Sequence, residues 1–248
     1  MGFFQTSGIL NRRGFFGGAS AAFDPKSISG LKLWLDGTVG LFDATTGGNA
    51  VTTNDSAVAR WEDQSGNSNH ALQATLNNRP VLKTALLNGK NVLSFDGSND
   101  RMSVTEIDFG ASPAYTIFTV KYQDAEAFRI YLAASNIEPY LSARDNAAGG
   151  FTHWNGASHL HSSFTSAQLW QLFTYSQDSS NRRFYKDNGS AVTGTASTRT
   201  AKIRDVGFGA GSFHWNGDLA EILIYDSYLS DSNRESVRDY LNKKWAIY

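Results

Sequence analysis

Gly217-Asp218-Leu219-Ala220-Glu221-Ile222-Leu223-Ile224-Tyr225-Asp226 is an apolar run of strand length, opened by an Asn216-Gly217 pair and closed by an aspartate. Its β-branched and aromatic content over a short span reads as a buried strand. A few residues later the period changes. Ser232 and Glu235 have capping-box spacing, and Val237, Tyr240, Leu241 and Trp245 recur at helical intervals. One C-terminal helix of about four turns at most is expected, its apolar stripe laid on the sheet.

Upstream the same strand signal recurs. Leu31-Lys32-Leu33-Trp34-Leu35 alternates, with the odd positions and Trp34 on opposite faces. Val92–Phe95, Tyr115–Val120 and Leu169–Tyr175 are further candidates. Asn-Gly pairs at 88–89, 155–156, 188–189 and 216–217 favour the positive φ values of tight hairpin turns. Many short strands with such turns point to an antiparallel sandwich. No Pro or Gly linker after Pro25 is long enough to separate domains, so residues 28–248 read as one.

Composition narrows the classes. With 22 basic and 23 acidic side chains the net charge is −1, which argues against a nucleic-acid partner. There is no cysteine, hence no disulfide and no thiolate metal site. No stretch reaches the ~18 apolar residues of a membrane helix, so no membrane insertion is expected.

Residues 1–27 read as an extended N-terminal arm, rich in Gly, Ala, Ser and Phe and without helical or strand period. Met1–Thr6 fits the loose myristoylation pattern, which is short and works only in eukaryotes, and the twin-arginine-like stretch after Arg12-Arg13 is interrupted by Gly14, Gly17 and Gly18, so neither is taken as an address signal. Phe3, Phe4, Phe15 and Phe16, each worth ~1.5–3 kcal/mol when buried, together with Arg12 and Arg13 are expected to contact a partner subunit.

Several blocks, in order, resemble the laminin-G-like, concanavalin A-like lectin superfamily. They are Leu31–Asp36, Trp61-Glu62-Asp63-Gln64-Ser65-Gly66-Asn67-Ser68-Asn69-His70-Ala71, Phe95-Asp96-Gly97-Ser98-Asn99-Asp100, Phe184–Gly189, and Gly217–Asp226 with Leu229-Ser230 and Tyr240-Leu241. The resemblance implies a two-sheet jelly roll whose relatives bind glycans, proteins or neighbouring subunits. The arm ahead of such a domain resembles virion proteins of tailed phages.

Candidate chemistry is sparse. The string His-Trp-Asn-Gly occurs twice, and His153, Trp154, Asn155 and His214, Trp215, Asn216 could each present an aromatic platform for a sugar, or simply shape a turn. Asp96, Asn99 and Asp100, or Asp63, Asn67 and Asn69, could offer oxygens to calcium, or close turns through their side chains. His159 and His161, with His153 nearby, lack an evident third ligand for a transition metal. Arg182, Arg183, Lys186, Arg199, Lys202 and Arg204 make a locally basic stretch, read as a solvated strand face or an anionic-glycan contact. Retaining glycosidases need two carboxylates ~5–5.5 Å apart. The hydrolase triplet Glu-x-Asp-x-x-Glu of the resembled family is missing, and Glu221 has leucines at 219 and 223, so it reads as closing a hydrogen-bond network.

The expectation is an all-β, two-sheet antiparallel jelly-roll sandwich with one C-terminal helix and an extended N-terminal arm. The resemblance implies a non-enzymatic protein of the phage particle surface, a capsid decoration (cement) or tail-fibre component, forming homo-oligomers or binding other virion proteins. No cofactor is expected beyond possible calcium. The alternative is a carbohydrate-binding lectin or host-receptor adhesin, and after it a glycoside hydrolase.

Overall fold

The computed structural model describes residues 22–110, 113–124, 129–134, 140–143, 151–154, 159–161, 168–196, 200–208 and 213–248. In chain order the strands are β1 (Leu31–Asp36), β2 (Leu41–Phe42), β3 (Arg60–Trp61), β4 (Ala71–Leu72), β5 (Val81–Leu87), β6 (Lys90–Asp96), β7 (Met102–Asp108), β8 (Tyr115–Gln123) and β9 (Arg129–Ala133). They continue with β10 (Tyr140–Ala143), β11 (Phe151–Trp154), β12 (His159–His161), β13 (Gln171–Gln177), β14 (Asn181–Lys186), β15 (Val192–Thr195), β16 (Lys202–Val206) and β17 (Asn216–Tyr225), and the chain closes on α1 (Asp231–Trp245).

Two antiparallel sheets form the sandwich. One has eight strands in the order β15-β14-β13-β8-β17-β6-β5, with β1 also on β17; the other has nine, β12-β11-β10-β9-β16-β7-β4-β3-β2. The long β17 organises the first sheet. Its first half pairs with β6 and its second half with β1, while β8 runs along its other side. One face of this sheet, with Leu33, Leu35, Phe95, Ile117, Ile222 and Ile224, meets the second sheet across the main core. The opposite face, with Val92, Phe118, Val120, Leu172 and Leu223, is covered by Val237, Leu241 and Trp245 of α1. The expected alternation holds over Leu33–Leu35, where Leu33 and Leu35 lie in the inter-sheet core and Trp34 packs on the helix side. It fails at Leu31, which a register shift before Leu33 leaves on the helix side with Trp34.

A register shift between Leu219 and Glu221 in the pairing with β8 marks a bulge. It puts Ala220 on the helix side beside Leu223, while Leu219 and Ile222 both enter the main core. Glu221 is therefore carried to the helix side, out of phase with Leu219, as an extra bulge residue dictates. The bulge was not expected from the apolar run.

Local signals differ from expectation in two places. The helix is capped by Ser230, whose Oγ accepts the Asn233 N–H at 3.3 Å, not by Ser232. Asn88 (φ 48°) and Gly89 (φ 67°) make the expected turn between β5 and β6, but Asn216-Gly217 is strand, not turn, and after β14 the positive φ falls on Asp187 (φ 51°) instead of on Asn188-Gly189. At Gly217 (φ 141°) a Cβ would sit 2.2 Å from the Tyr122 carbonyl oxygen, so glycine serves a close strand approach there. Among the described residues no helix is long and apolar enough to cross a membrane.

Candidate ligand-binding site

The fold brings together two segments that stand 118 residues apart in sequence at Asp96 and His214. Because Asn216 pairs with Asp96 across β17 and β6, the turn Asp96–Asp100 lies against the entry to β17. Asp96 ties this turn. Its Oδ1 accepts the N–H groups of Ser98 (2.8 Å), Asn99 (3.1 Å) and Asp100 (3.3 Å). Asp100, buried at 6% exposure, accepts the Asp96 N–H on Oδ2 at 3.0 Å. The His214 Nδ1 stands 3.4 Å from the Asp100 carbonyl oxygen.

Burial and the neighbouring Asp96 charge push the Asp100 carboxyl up to about 7, against the one N–H it accepts. Burial acts on Asp96 in the same direction, but three N–H donors and the His214 charge outweigh it and hold that carboxyl below its usual range. Asp100, Asp96, Ser94 and Lys83 line a cleft of about 440 Å³.

On the other side of this turn is a cleft of about 290 Å³ lined by Gln73, Arg101, Ser103, Arg204, Asp205 and Phe208. Phe208 is set by Gly207, where φ is +77° and a Cβ would fall 2.3 Å from the Phe95 ring, so only glycine lets the chain pass. The Phe208 ring is half-exposed and packs on the His214 ring at 4.8 Å, with the Arg101 guanidinium 5.2 Å from its centroid. Phe213, next to them, is exposed. The Ser103 hydroxyl donates to Asp205 Oδ1 at 3.0 Å, and burial raises the Asp205 carboxyl despite that bond and the Arg204 and Arg101 charges. The arrangement is an aromatic shelf beside fixed donors and acceptors, which is what holding a sugar ring requires.

Of the residues singled out from sequence, His214 and Asn216 are at this site with Asp96, Asn99 and Asp100, two groups that the sequence alone did not join. Trp215 is placed otherwise. It is fully buried, edge-on to Tyr131 at 5.3 Å and 5.2 Å from the Nζ of the buried Lys121, so it supports the core instead of presenting a platform. His153 and Trp154 fall on β11, paired with Leu141 and Tyr140. Their side chains, Asn155, and the arm residues Phe3, Phe4, Arg12, Arg13, Phe15 and Phe16 lie outside the described residues.

The calcium candidates hold backbone. Asp63 accepts from the N–H groups of Trp34, Ser65 and Asn69, while Asn67 and Asn69 donate to the Leu31 and Lys32 carbonyls, stitching this loop to β1. Among the described residues no group of three or more His, Asp or Glu side chains is placed to hold a metal. In the basic stretch, Arg183 pairs with Asp178 and Lys202 with Glu106 and Asp108, Arg182 is buried, and Arg204 lines the cleft, while Arg199 lies outside the described residues. Sequence reasoning missed Phe208, Arg101 and Asp205, and a Gly-Phe pair closing a short strand was the one available signal.

Glu221, away from this site, is fully buried and closes a network. It accepts from Trp34 Nε1 (2.7 Å) and the Tyr240 hydroxyl (3.0 Å) on Oε1, and from Trp245 Nε1 (2.6 Å) and Lys244 Nζ (2.8 Å) on Oε2. Lys244 also bridges to Asp36. Burial and the Asp36 charge raise the Glu221 carboxyl, opposed by Lys244 and the Trp245 donor.

No protein-family profile matches the chain, and no curated protein matches it in sequence. Solved structures match in fold. The binding domain of Paraclostridial Mosquitocidal Protein 1 superposes with a TM-score of 0.61 at 13% identity, over 88% of this chain and 54% of that one. Domain 4 of AbnA, a GH43 extracellular arabinanase from Geobacillus stearothermophilus, solved with arabinotriose, gives 0.53 at 14% identity, over 76% and 99%. An arabinofuranosidase complexed with arabinofuranosyl-alpha-1,2-xylobiose gives 0.54 at 17% identity, over 75% of this chain and 50% of that one. The chain thus spans about half the length of the arabinofuranosidase. The expectation that the chain is not an enzyme is corrected here, because glycoside hydrolases are among the proteins that carry this sandwich.

Proposed function

We propose that the chain is a carbohydrate-binding β-sandwich and that its sugar site is the cleft that Phe208 and Arg101 line together with Ser103, Arg204 and Asp205. The single observation that carries this is the Phe208–His214 ring pair, half-exposed beside Arg101, Arg204, Asp205 and Ser103. An apolar ring face and converging polar groups are the two things a saccharide needs. The arabinanase domain solved with arabinotriose supports the reading and supplies first ligands to try. The virion role expected from the leading segment rests on the sequence of that segment, so it is the sugar site that is carried forward.

A glycan array followed by calorimetry on the intact chain tests it. Binding of a neutral oligosaccharide is expected, weakened about two- to tenfold by Phe208→Ala, the worth of an aromatic contact, and further by Arg101→Ala. Absence of sugar binding, or binding indifferent to both substitutions, overturns the proposal.

Glycoside hydrolysis is a second reading, favoured by the Asp100 and Asp96 carboxyls being driven apart in a shared cleft. Such a split separates an acid from a base. Reducing-end release that disappears in Asp100→Asn is its expected sign; no release from any bound oligosaccharide rejects it.

A further inference from the structure

A cleft of about 590 Å³ opens at the far side of α1, between the helix, the β5–β6 turn and Phe23. It is distinct from the Phe208 site and has a different chemistry. Its apolar wall is the Tyr240 ring with Phe23 at 6.0 Å. The Tyr240 hydroxyl is committed to Glu221, which fixes the ring in place. The β5–β6 turn is fastened to the helix end by Asn88, whose Nδ2 donates to the Lys244 carbonyl at 3.1 Å. Both walls are therefore anchored.

The charges in this cleft do not balance. Lys244 is spent on Glu221 and Asp36, and Asp239 lies 3.6 Å from Arg238. Lys90 and Lys243 remain, and among the described residues neither has an ion-pair partner. Lys243 gains something from the helix C-terminus. Lys90, on β6, has no such reason to be there. Two uncompensated ammonium groups beside a fixed aromatic wall suit a ring-shaped ligand that carries an anion.

We propose that this cleft binds an anionic saccharide, its ring on Tyr240 and Phe23 and its carboxylate or sulfate between Lys90 and Lys243. Only the ligand class rests on the function proposed above, and the two sites succeed or fail separately.

The test titrates the full chain by calorimetry with a uronic-acid oligosaccharide, a sulfated oligosaccharide and a neutral one of equal length. At least one acidic ligand is expected to bind, with affinity falling as salt rises. The double substitution Lys90→Gln and Lys243→Gln should weaken it about tenfold or more, as expected when hydrogen bonds to charged groups are lost. Phe208→Ala should leave it unchanged. The uronic and sulfated arms say which anion is read. An unchanged thermal midpoint in the double variant shows that the fold is intact. No acidic binding, equal binding of the neutral ligand in this cleft, or acidic binding lost in Phe208→Ala but retained in the double variant would each overturn the proposal; the last would still support the Phe208 site.

Discussion

Glu221 and Asp100 are both carboxylates removed from solvent, and they sit on opposite terms with their surroundings. Glu221 receives four donors from two elements: Trp34 of β1, and Tyr240, Lys244 and Trp245 of α1. Asp100 receives one backbone N–H and faces the like charge of Asp96. The first is a joint. A charge so thoroughly supplied with donors locks the helix to the sheet, and each donor depends on it in return. The second is poised, because among the described residues its ionised form is stabilised by that single N–H. A buried acid is therefore read by its donors, and burial alone does not separate architecture from chemistry.

The largest expected effect comes from breaking the joint. Glu221→Ala leaves two indole N–H groups and a phenol facing an apolar seam, with Lys244 held by Asp36 alone. A loss of about 3–5 kcal/mol is expected, the range for removing one partner of a buried ion pair. Chemical denaturation measures it. A loss below ~1 kcal/mol would mean that helix seating comes from Val237, Leu241 and Trp245 packing, and the contrast with Asp100 would collapse.

Asp100→Asn sharpens the other side, and its sign is opposite. In the unfolded chain Asp100 titrates near the ordinary 3.8, and in the folded chain near 7. Below 3.8 both states hold the proton and nothing is lost. As pH rises through the window up to about 7, the unfolded chain releases the proton first, so folding stability falls. The cost above the window is about 2–4 kcal/mol, at roughly 1.4 kcal/mol per unit and less where water reaches the group. Asp100→Asn should therefore match the parent near pH 4 and exceed it in stability at pH 8. Denaturation midpoints across that range decide the matter; a variant less stable than the parent at pH 8 would show that the Asp100 carboxylate is stabilised by something other than the Asp96 N–H.

The contrast also shows what was legible beforehand. The sandwich and the helix were, because alternation in Leu33–Leu35 and the stripe Val237, Leu241, Trp245 record burial directly in residue spacing. The role of Glu221 as a network residue was also readable, but its direction was not. The bulge after Leu219 shifts the face on which Glu221 emerges, and the residues around it, Leu219, Ala220 and Ile222, are apolar on both faces and do not mark the shift. The binding cleft was half-readable. His214 and Asp96–Asp100 stood out as turn-rich polar groups, yet their meeting depends on the β17–β6 register, which no local spacing encodes. Trp215 shows the limit most clearly. A tryptophan flanked by His and Asn-Gly looks exposed, and only the pairing of β17 turns it inward against Tyr131.

The smallest effect concerns whether the helix can hold itself without Glu221. Ser230 caps it through one bond of 3.3 Å to the Asn233 N–H, a long one. Ser230→Ala should cost about 0.5–1 kcal/mol, the lower part of the range for lost N-caps. It should leave sugar binding at Phe208 untouched, since the cap lies at the opposite end of the helix from the Glu221 joint and does not line the cleft. If the loss instead approaches that of Glu221→Ala, then the first turn, not the Trp245 end, governs docking. The helix would then be held by its N-terminus through Arg234, which stacks on Tyr185 at 4.2 Å, and Glu221 would be a passenger in a seam already closed. Measuring both variants and their combination separates the cases: additive losses keep the two ends independent, as their separation along a helix of 15 residues implies.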